Sequence, residues 1–288
     1  MTISEIFASE FLIRVILRAL VVGTLVSLCS SVLGVSLVLK RYSMIGDGLS
    51  HVGFFGLALA ACAGVGSLYS MEISVPVVIL AAVLILRLSR NDGRLNGDAA
   101  CAVVSTGAVA VGTLMYNLTG GRAGDICSSL FGSASVITIS DKDLLLSLVL
   151  SAVVIVWFLF TFKTIFAVTF DETFARAAGV SADLFGLTLS ILTGVTIVVG
   201  MKIMGSIMIS AILIFPALTA MRLTGDFKRT VIFSALISVV GFIAGFIAAC
   251  LLGLQTGASV VTIDLVIFCL VYLFAWLNAK RRQKAAAK

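Results

Sequence analysis

The residues of this sequence best suited to chemistry are an aspartate and the chain's single histidine, Asp47 and His51, which stand in a long apolar stretch. Residues four positions apart lie on one face of an α-helix, one turn from each other. A carboxylate oxygen and an imidazole nitrogen at that spacing can bind one divalent cation. The pattern therefore predicts a helical metal-binding pair.

The composition says what kind of element must carry this pair. Of the 288 residues, 60% are hydrophobic and only 12% are charged, with a mean hydropathy of +1.20. A soluble domain has roughly a quarter of its residues charged, so a cytosolic enzyme, a nucleic-acid-binding protein and a disordered chain are all poor fits. The solvent for most of the chain is expected to be lipid.

Apolar runs of about 20 residues, the length that spans a bilayer, recur along the whole chain. We predict an all-α, polytopic integral membrane protein with about nine transmembrane helices, and eight to ten as the range, in one transmembrane domain over residues 1–288. The predicted spans are 15–39, 44–66, 71–88, 99–118, 144–162, 184–199, 203–221, 230–252 and 260–277.

The basic residues indicate an orientation. Most of the 20 Lys and Arg residues fall on one side if the C-terminus is cytoplasmic, which is the side that the positive-inside rule favours. Nine spans then place the N-terminus outside, with Arg14 and Arg18 reaching the interface. Residues 119–143 are expected to form an outer loop or a short re-entrant piece. Residues 170–183 are expected to form a cytoplasmic loop with one or two helical turns that stop at Gly179.

Small residues surround the predicted metal pair. They are Gly46, Gly48, Ser50, Gly53 and Gly56, and they would let helices approach and leave room for an ion. The alternative is that Asp47 caps the second span and His51 hydrogen-bonds to a neighbouring carbonyl. Two ligands also underfill a metal shell, so we expect a two-fold dimer that brings two Asp and two His residues together.

Other intramembrane features are weaker candidates. Asp98 is expected to supply a negative charge at a helix N-terminus. Asp264 could hydrogen-bond at the interface or line an entry path. The methionines Met201, Met204 and Met208 could form a soft-metal ladder, although packing is the more ordinary role. The Gly241–Gly245 pair forms a GxxxG motif that favours close helix packing.

Enzymatic motifs are missing from the sequence. It contains no GxxxxGK[ST] phosphate-binding loop, and its one histidine lies in an apolar stretch, where a Ser-His-Asp triad is implausible. We therefore expect the chain not to be an enzyme itself.

Three segments carry a family resemblance. The run Arg41-Tyr-Ser-Met-Ile-Gly-Asp47-Gly-Leu-Ser-His51 resembles the signature of zinc/manganese-type ABC transporter permeases. Residues 205–220, with their Ser210-Ala211 and Pro216-Ala217 pairs, resemble a second helix of that family, and residues 170–179 resemble its cytoplasmic coupling segment. The segments occur in the family's order over residues 40–220.

The resemblance implies a permease domain in the cell membrane of a prokaryote, with Asp47 and His51 contacting the passing metal. It implies a homodimer, two cytoplasmic ATP-binding subunits and an extracytoplasmic metal-binding protein. It implies no permanent cofactor, and zinc, manganese or iron as the transported substrate. The residues implied in coupling to the ATPase are Phe170, Asp171, Glu172, Phe174, Ala175 and Gly179.

The chain departs from the family pattern at two places. The family often has an acid where Thr173 stands, and here Glu172 comes one position earlier. The usual proline before Gly257 is also absent. The first difference affects the expected coupling contacts, and the second affects an outer loop.

Two rival functions stay open at this point. One is a proton-coupled secondary carrier that uses Asp47 and His51 as a proton relay. The other is a related ABC permease for a metal chelate such as a siderophore or cobalamin, which would need a wide pathway and no direct metal ligands.

Overall fold

The computed structural model describes residues 10–40, 42–64, 70–91, 97–120 and 141–286, and this part of the chain is helical without strands. Its ten helices are α1 (Glu10–Leu39), α2 (Ile45–Cys62), α3 (Ser70–Asn91), α4 (Gly97–Leu118), α5 (Asp141–Phe170), α6 (Glu172–Ala177), α7 (Ala182–Met204), α8 (Ser206–Leu223), α9 (Phe227–Leu252) and α10 (Thr256–Ala286). The all-α prediction is confirmed.

Within these described ranges, eight helices are long and apolar enough to cross a membrane, namely all except α3 and α6. Helix α3 has 22 residues with Glu72 in its first turn and occupies the place of the third predicted span. Helix α6 has only six residues. The polytopic architecture with eight to ten spans is confirmed. Most of the predicted outer loop at 119–143, residues 121–140, lies outside the described residues.

The boundary between α7 and α8 is sharper than the sequence predicted. The predicted spans left residues 200–202 as a connection, whereas α7 continues to Met204 and α8 starts at Ser206. The two helices are separated only by Gly205, whose φ is 89°. A left-handed φ of this kind costs glycine little, so one residue can end one helix and start the next.

Helices α1 and α8 form the centre of the bundle. Helix α1 packs against α5, α7, α8 and α9, and α8 packs against α1, α2, α7, α9 and α10. The buried core between them includes Val22, Val26, Leu33, Met208, Ile209 and Ile212. Many apolar side chains of α4, α5 and α10 instead point outward, among them Leu118, Phe160 and Leu270. An apolar outer surface suits a lipid environment.

Helix contacts in the bundle depend on small and hydroxyl side chains. Ser234 donates a hydrogen bond to the carbonyl of Ser31, and Ser238 donates to the carbonyl of Ser27, which ties α9 to α1. A Cβ atom at Gly245 would overlap the backbone of Val260. Lipid provides no hydrophobic force between helices, so such close approach is how they associate. The packing role predicted for the GxxxG motif is confirmed.

Candidate metal site and coupling segment

Helix α2 carries the predicted metal pair on its least buried face. Met44, Asp47, His51 and Phe55 follow one another at helical spacing, and all are exposed or half-buried, whereas most other residues in the first three turns are buried. The side chain of Asp47 is 37% exposed and that of His51 is 19% exposed. The pair is therefore accessible from outside the protomer.

The two side chains meet as the spacing predicted. Nε2 of His51 lies 3.3 Å from Oδ1 of Asp47. The other carboxylate oxygen, Oδ2, accepts a hydrogen bond of 3.4 Å from the hydroxyl of Ser105 on α4. The second imidazole nitrogen, Nδ1, is buried and has no hydrogen-bond partner among the described residues. Oxygen and nitrogen donors thus face one point, where they could contact a cation together.

Asp47 lies in the first turn of α2, as the alternative role at the helix start requires, but among the described residues it accepts no capping hydrogen bond, and Asp98 accepts the one at this helix start. Oδ1 of Asp98 accepts a 3.1 Å hydrogen bond from the backbone N–H of Met44, the residue that precedes α2. The hydroxyl of Ser43 also donates to this carboxylate, at 3.3 Å. Asp98 was expected to act only at the start of its own helix. It also holds the start of α2, which leaves the Asp47 carboxylate turned towards His51 and Ser105.

A second hydroxyl connection joins α2 to the central helix α8. Ser50 donates to the backbone carbonyl of Asp47 at 2.8 Å, and Ser210 donates to the Ser50 hydroxyl at 3.0 Å. Sequence reasoning missed this pairing and also missed Ser105. Ser105 lies seven residues after Asp98 and so on the same face of one helix, but the sequence does not indicate that this face meets Asp47.

The glycines of α2 lie where neighbouring helices come closest. A Cβ atom at Gly48 would approach the carbonyl oxygen of Cys101 on α4 to 3.3 Å. One at Gly56 would approach Cα of Ser74 on α3 to 2.8 Å. Helix α2 is thereby held closely by α4 and α3.

The three methionines considered as a soft-metal ladder, Met201, Met204 and Met208, are buried in the core.

In the part of the chain that the structure describes, no group of three or more His, Cys, Asp or Glu side chains could hold a metal ion. Asp47 and His51 are thus the whole set of such ligands at this point of the described protomer. A complete coordination shell needs donors from elsewhere.

Asp264, the other acid considered for the ion path, lies apart from the pair. It is only 1% exposed, and neither of its oxygens has a hydrogen-bond partner among the described residues. Its carboxylate is pressed against Gly241 of α9, where a Cβ atom would overlap Oδ1. Asp264 is therefore sealed in the contact between α9 and α10, and this placement does not support a role in lining an entry path.

The coupling segment contains the short helix that the sequence predicted, as α6. Asp171 precedes it, and Oδ1 accepts hydrogen bonds from the backbone N–H of Phe174 at 2.9 Å and from the hydroxyl of Thr173 at 2.6 Å. The Phe174 N–H, followed by the Thr173 hydroxyl, lowers the pKa of the Asp171 carboxyl below its ordinary value. Asp171 thus acts as the N-cap of α6.

Charge pairs tie α6 to the next helix. Arg176 contacts Glu172 at 2.8 Å and Asp183, in the first turn of α7, at 2.7 Å. Gly179, with a φ of 83°, makes the turn between them.

Among the predicted coupling residues near these charge pairs, some side chains are exposed and one is buried. Phe170 and Phe174 are 59% and 66% exposed, whereas Ala175 is fully buried against Val168 and Ala182. The two phenylalanines can meet a partner, and Ala175 anchors the segment.

Known proteins resemble this chain over most of its length. A protein of Haemophilus influenzae named "Probable iron transport system membrane protein" is 29% identical over 267 residues, covering 91% of this chain and 94% of that protein. The manganese transport system membrane protein MntC of Halalkalibacterium halodurans is 26% identical over 258 residues, covering 90% and 86%. The chain thus matches membrane subunits of metal transport systems almost end to end.

Solved structures share the fold. A chain of PsaBC from Streptococcus pneumoniae, determined in complex with Fab, superimposes with a TM-score of 0.78 at 23% identity and covers 94% of each chain. Residues 12–275 match the ABC 3 transport family. The helical bundle, the order of its segments and this match over nearly the whole chain show that the protein belongs to the ABC 3 transport family.

Proposed function

We propose that this chain is the permease subunit of an ATP-driven importer that passes a divalent transition metal through the Asp47–His51 pair. The observation that carries the proposal is the half-exposed position of this pair on an apolar helix, with the two donor atoms 3.3 Å apart. Ionisable residues within membrane helices are rare and usually face a bundle interior or a water-filled path, so Asp47 in the first turn of α2 calls for a functional reason.

The exposed face of the pair supports a dimer. A carboxylate and an imidazole would be poorly solvated against lipid tails, so a protein surface or a water-filled path should cover them. A second copy related by a two-fold axis near α2 would do so. It would also bring two aspartates and two histidines together, which completes the ligand set that one protomer lacks.

The chemistry of these ligands defines the substrate class. Carboxylate oxygen and imidazole nitrogen suit zinc, manganese and iron alike, because selectivity among these ions depends on geometry and availability. Transport also needs ligands strong enough to replace bound water and few enough to release the ion. The metal is cargo in this proposal, and the permease keeps no cofactor of its own.

The segment around α6 supports coupling to separate ATP-binding subunits, two per complex. Phe170 and Phe174 are exposed there, while Arg176 links α6 to α7. A cavity of about 380 Å³ lies beside the segment, lined in part by Lys40 and Glu172. Closure of the ATP-binding subunits would press on α6, and α7 would transmit the displacement to α2 and α3, against which it packs.

The orientation follows from charge. The end of the bundle that carries α6 also carries Lys40, Arg176, Arg222, Lys228, Arg229 and Lys280. Contact between the rings of Phe170 and Phe227 places the start of α9 at this end. The positive-inside rule then assigns it to the cytoplasm. We infer one transmembrane permease domain, residues 1–288, in a prokaryotic cell membrane. Its C-terminus is cytoplasmic, and an extracytoplasmic metal-binding protein delivers the ion.

The proposal is tested by metal-resolved uptake into proteoliposomes that contain the permease with its ATP-binding subunits and metal-binding protein. Uptake of free zinc, manganese and iron is measured with and without ATP for the wild type, Asp47→Ala and His51→Ala. Asp264→Asn is the matched control, because it alters an aspartate outside the pair. We expect ATP-dependent uptake that both alanine variants lose and the control retains.

Each rival function gives a different result. A proton-coupled carrier would transport without ATP and would stop when a protonophore abolishes the proton gradient. A chelate permease would take up a siderophore or cobalamin and would keep its rate in Asp47→Ala and His51→Ala. Either outcome contradicts the proposed function.

A further inference from the structure

We infer that Ser105 of α4 is a positioning residue for the Asp47 carboxylate and thereby sets the affinity of the permease for its divalent metal. This inference rests on the proposed function. No motif of the sequence singles out Ser105, and it acts through Asp47 instead of entering the pair of metal ligands.

The two carboxylate oxygens of Asp47 have different partners. Oδ1 of Asp47 lies 3.3 Å from Nε2 of His51, whereas Oδ2 accepts the hydrogen bond from Ser105 at 3.4 Å. Rotation of the carboxylate about its terminal torsion would exchange the two oxygens or move both away from His51. The Ser105 hydroxyl opposes that rotation and keeps Oδ1 beside the imidazole.

Ser105 can hold this position because two contacts on the N-terminal side of the bond fix α4 against α2. Ser105 itself is buried, with only 8% of its surface exposed. At the start of α4, Asp98 accepts a hydrogen bond from the Met44 N–H. Between Asp98 and Ser105, the backbone of Cys101 packs against Gly48 of α2. Asp98, Cys101 and Ser105 thus form one face of α4, and this face determines where the hydroxyl meets Asp47.

Hydrogen bonds to metal-ligating side chains have measurable effects. Groups that orient a ligating carboxylate or imidazole typically change metal affinity or activity by about 10- to 100-fold when they are removed. A 3.4 Å contact lies at the long end of hydrogen-bond distances. We therefore expect the lower end of that range, roughly a tenfold weakening.

The test compares Ser105→Ala, Ser105→Thr and Ser147→Ala in the complete transporter, with ATP-driven uptake of the transported metal as readout. Ser147 on α5 is the matched control, because it is also buried and its hydroxyl donates within its own helix, to the carbonyl of Leu144. We expect Ser105→Ala to raise KM for the metal about tenfold with a nearly unchanged maximal rate. Ser105→Thr should restore KM, and Ser147→Ala should leave it unchanged.

A merely structural role for Ser105 gives a different pattern. Loss of folded transporter would lower the maximal rate at a constant KM, and it would overturn the inference. So would a wild-type KM in Ser105→Ala, or an equal rise of KM in Ser147→Ala. If Asp47→Ala abolishes uptake while Ser105→Ala keeps its KM, only this inference fails. If Asp47→Ala has no effect, the proposed function fails first.

Discussion

Two aspartates inside apolar helices, Asp47 of α2 and Asp264 of α10, have contrasting surroundings. Asp47 is half-exposed and contacts His51 and Ser105. Asp264 is 1% exposed, and its oxygens have no hydrogen-bond partner among the described residues. An intramembrane acid is by default a candidate for function, and the two candidates differ in exposure and in hydrogen-bond partners. These two differences are the reason that Asp47, and not Asp264, is proposed as the functional acid.

The helices that meet these aspartates differ in the same way. Helix α4 presents Asp98 and Ser105 to α2, so polar groups hold the chain around Asp47. Helix α9 presents Gly241 to Asp264, with Ile267 of α10 close by. A carboxyl group placed among apolar atoms costs free energy that no partner offsets. Replacing Asp47 should therefore harm function, and replacing Asp264 should not.

The largest expected effect is the difference between Asp47→Leu and Asp264→Leu. Uptake should fall by more than about 100-fold in Asp47→Leu, since even residues that only orient a metal ligand contribute about 10- to 100-fold. Asp264→Leu should transport at close to the wild-type rate. Its thermal unfolding temperature should be equal or higher, because the desolvation cost of the buried carboxyl is removed. Uptake assays and thermal unfolding in detergent measure both quantities.

That contrast breaks down if Asp264→Leu loses transport while it stays folded. Asp264 would then belong to the ion path despite its burial, and the two aspartates would be functionally alike.

The second largest effect concerns the glycines that face the same two regions. Gly241→Ala puts a methyl group into the Asp264 carboxylate, and overpacking of this kind typically costs about 1–3 kcal/mol. Gly46→Ala on α2 is the control, because its Cβ would lie 3.4 Å from a Leu213 methyl, an ordinary contact. Thermal unfolding should show a clear loss for Gly241→Ala and little for Gly46→Ala.

A double variant tests whether the Asp264 carboxylate causes the stability lost in Gly241→Ala. The double variant Gly241→Ala/Asp264→Ala removes the atoms that the new methyl group would meet, so it should recover part of the lost stability. Additive losses in the double variant would show that Asp264 is not what limits the approach of α9 and α10.

The fold was predictable because its signal is long and repetitive. Runs of about 20 apolar residues leave few alternatives to membrane helices. The structure has a helix at each of the nine predicted positions, and eight of these helices are long and apolar enough to cross a membrane. The junction at Gly205 escaped prediction because one glycine with a left-handed φ can replace a loop. Hydropathy averaged over a span does not detect a break of one residue.

The site was predictable only where its parts are close in sequence. Asp47 and His51 are four residues apart, so helical periodicity alone brings them together. Ser105 and Ser210 reach the same helix from 58 and 160 residues away in the chain. Such contacts depend on which helices pack together, and the hydropathy of separate segments carries no information about that pairing.

A smaller effect is expected at the start of α2, where Asp98 caps a helix from outside. Asp98→Ala removes the acceptor of the Met44 N–H, and loss of an N-cap typically costs about 1 kcal/mol. Asp98→Asn should retain most of the stability, since an amide oxygen still accepts this bond. Thermal unfolding of the two variants measures the difference. Equal unfolding temperatures for Asp98→Ala and the wild type would contradict the capping role.

The smallest effect extends the comparison to an aspartate outside the membrane-spanning helices. The Phe174 N–H and the Thr173 hydroxyl hold the pKa of Asp171 below its ordinary value, so the ionised form supports α6. This support should be complete above the ordinary aspartate pKa of about 3.9 and should disappear as the pH falls through the lowered pKa. Amide hydrogen exchange of α6, corrected for intrinsic rates, should therefore be constant above the ordinary aspartate pKa and become faster as the pH falls through the lowered pKa. Asp171→Ala should show the faster exchange at every pH, and a pH-independent wild type would contradict the assignment. Carboxylates with hydrogen-bond donors beside them would then occur both in the Asp47–His51 pair and in the coupling segment. Asp264, by contrast, has no such partner in the described chain.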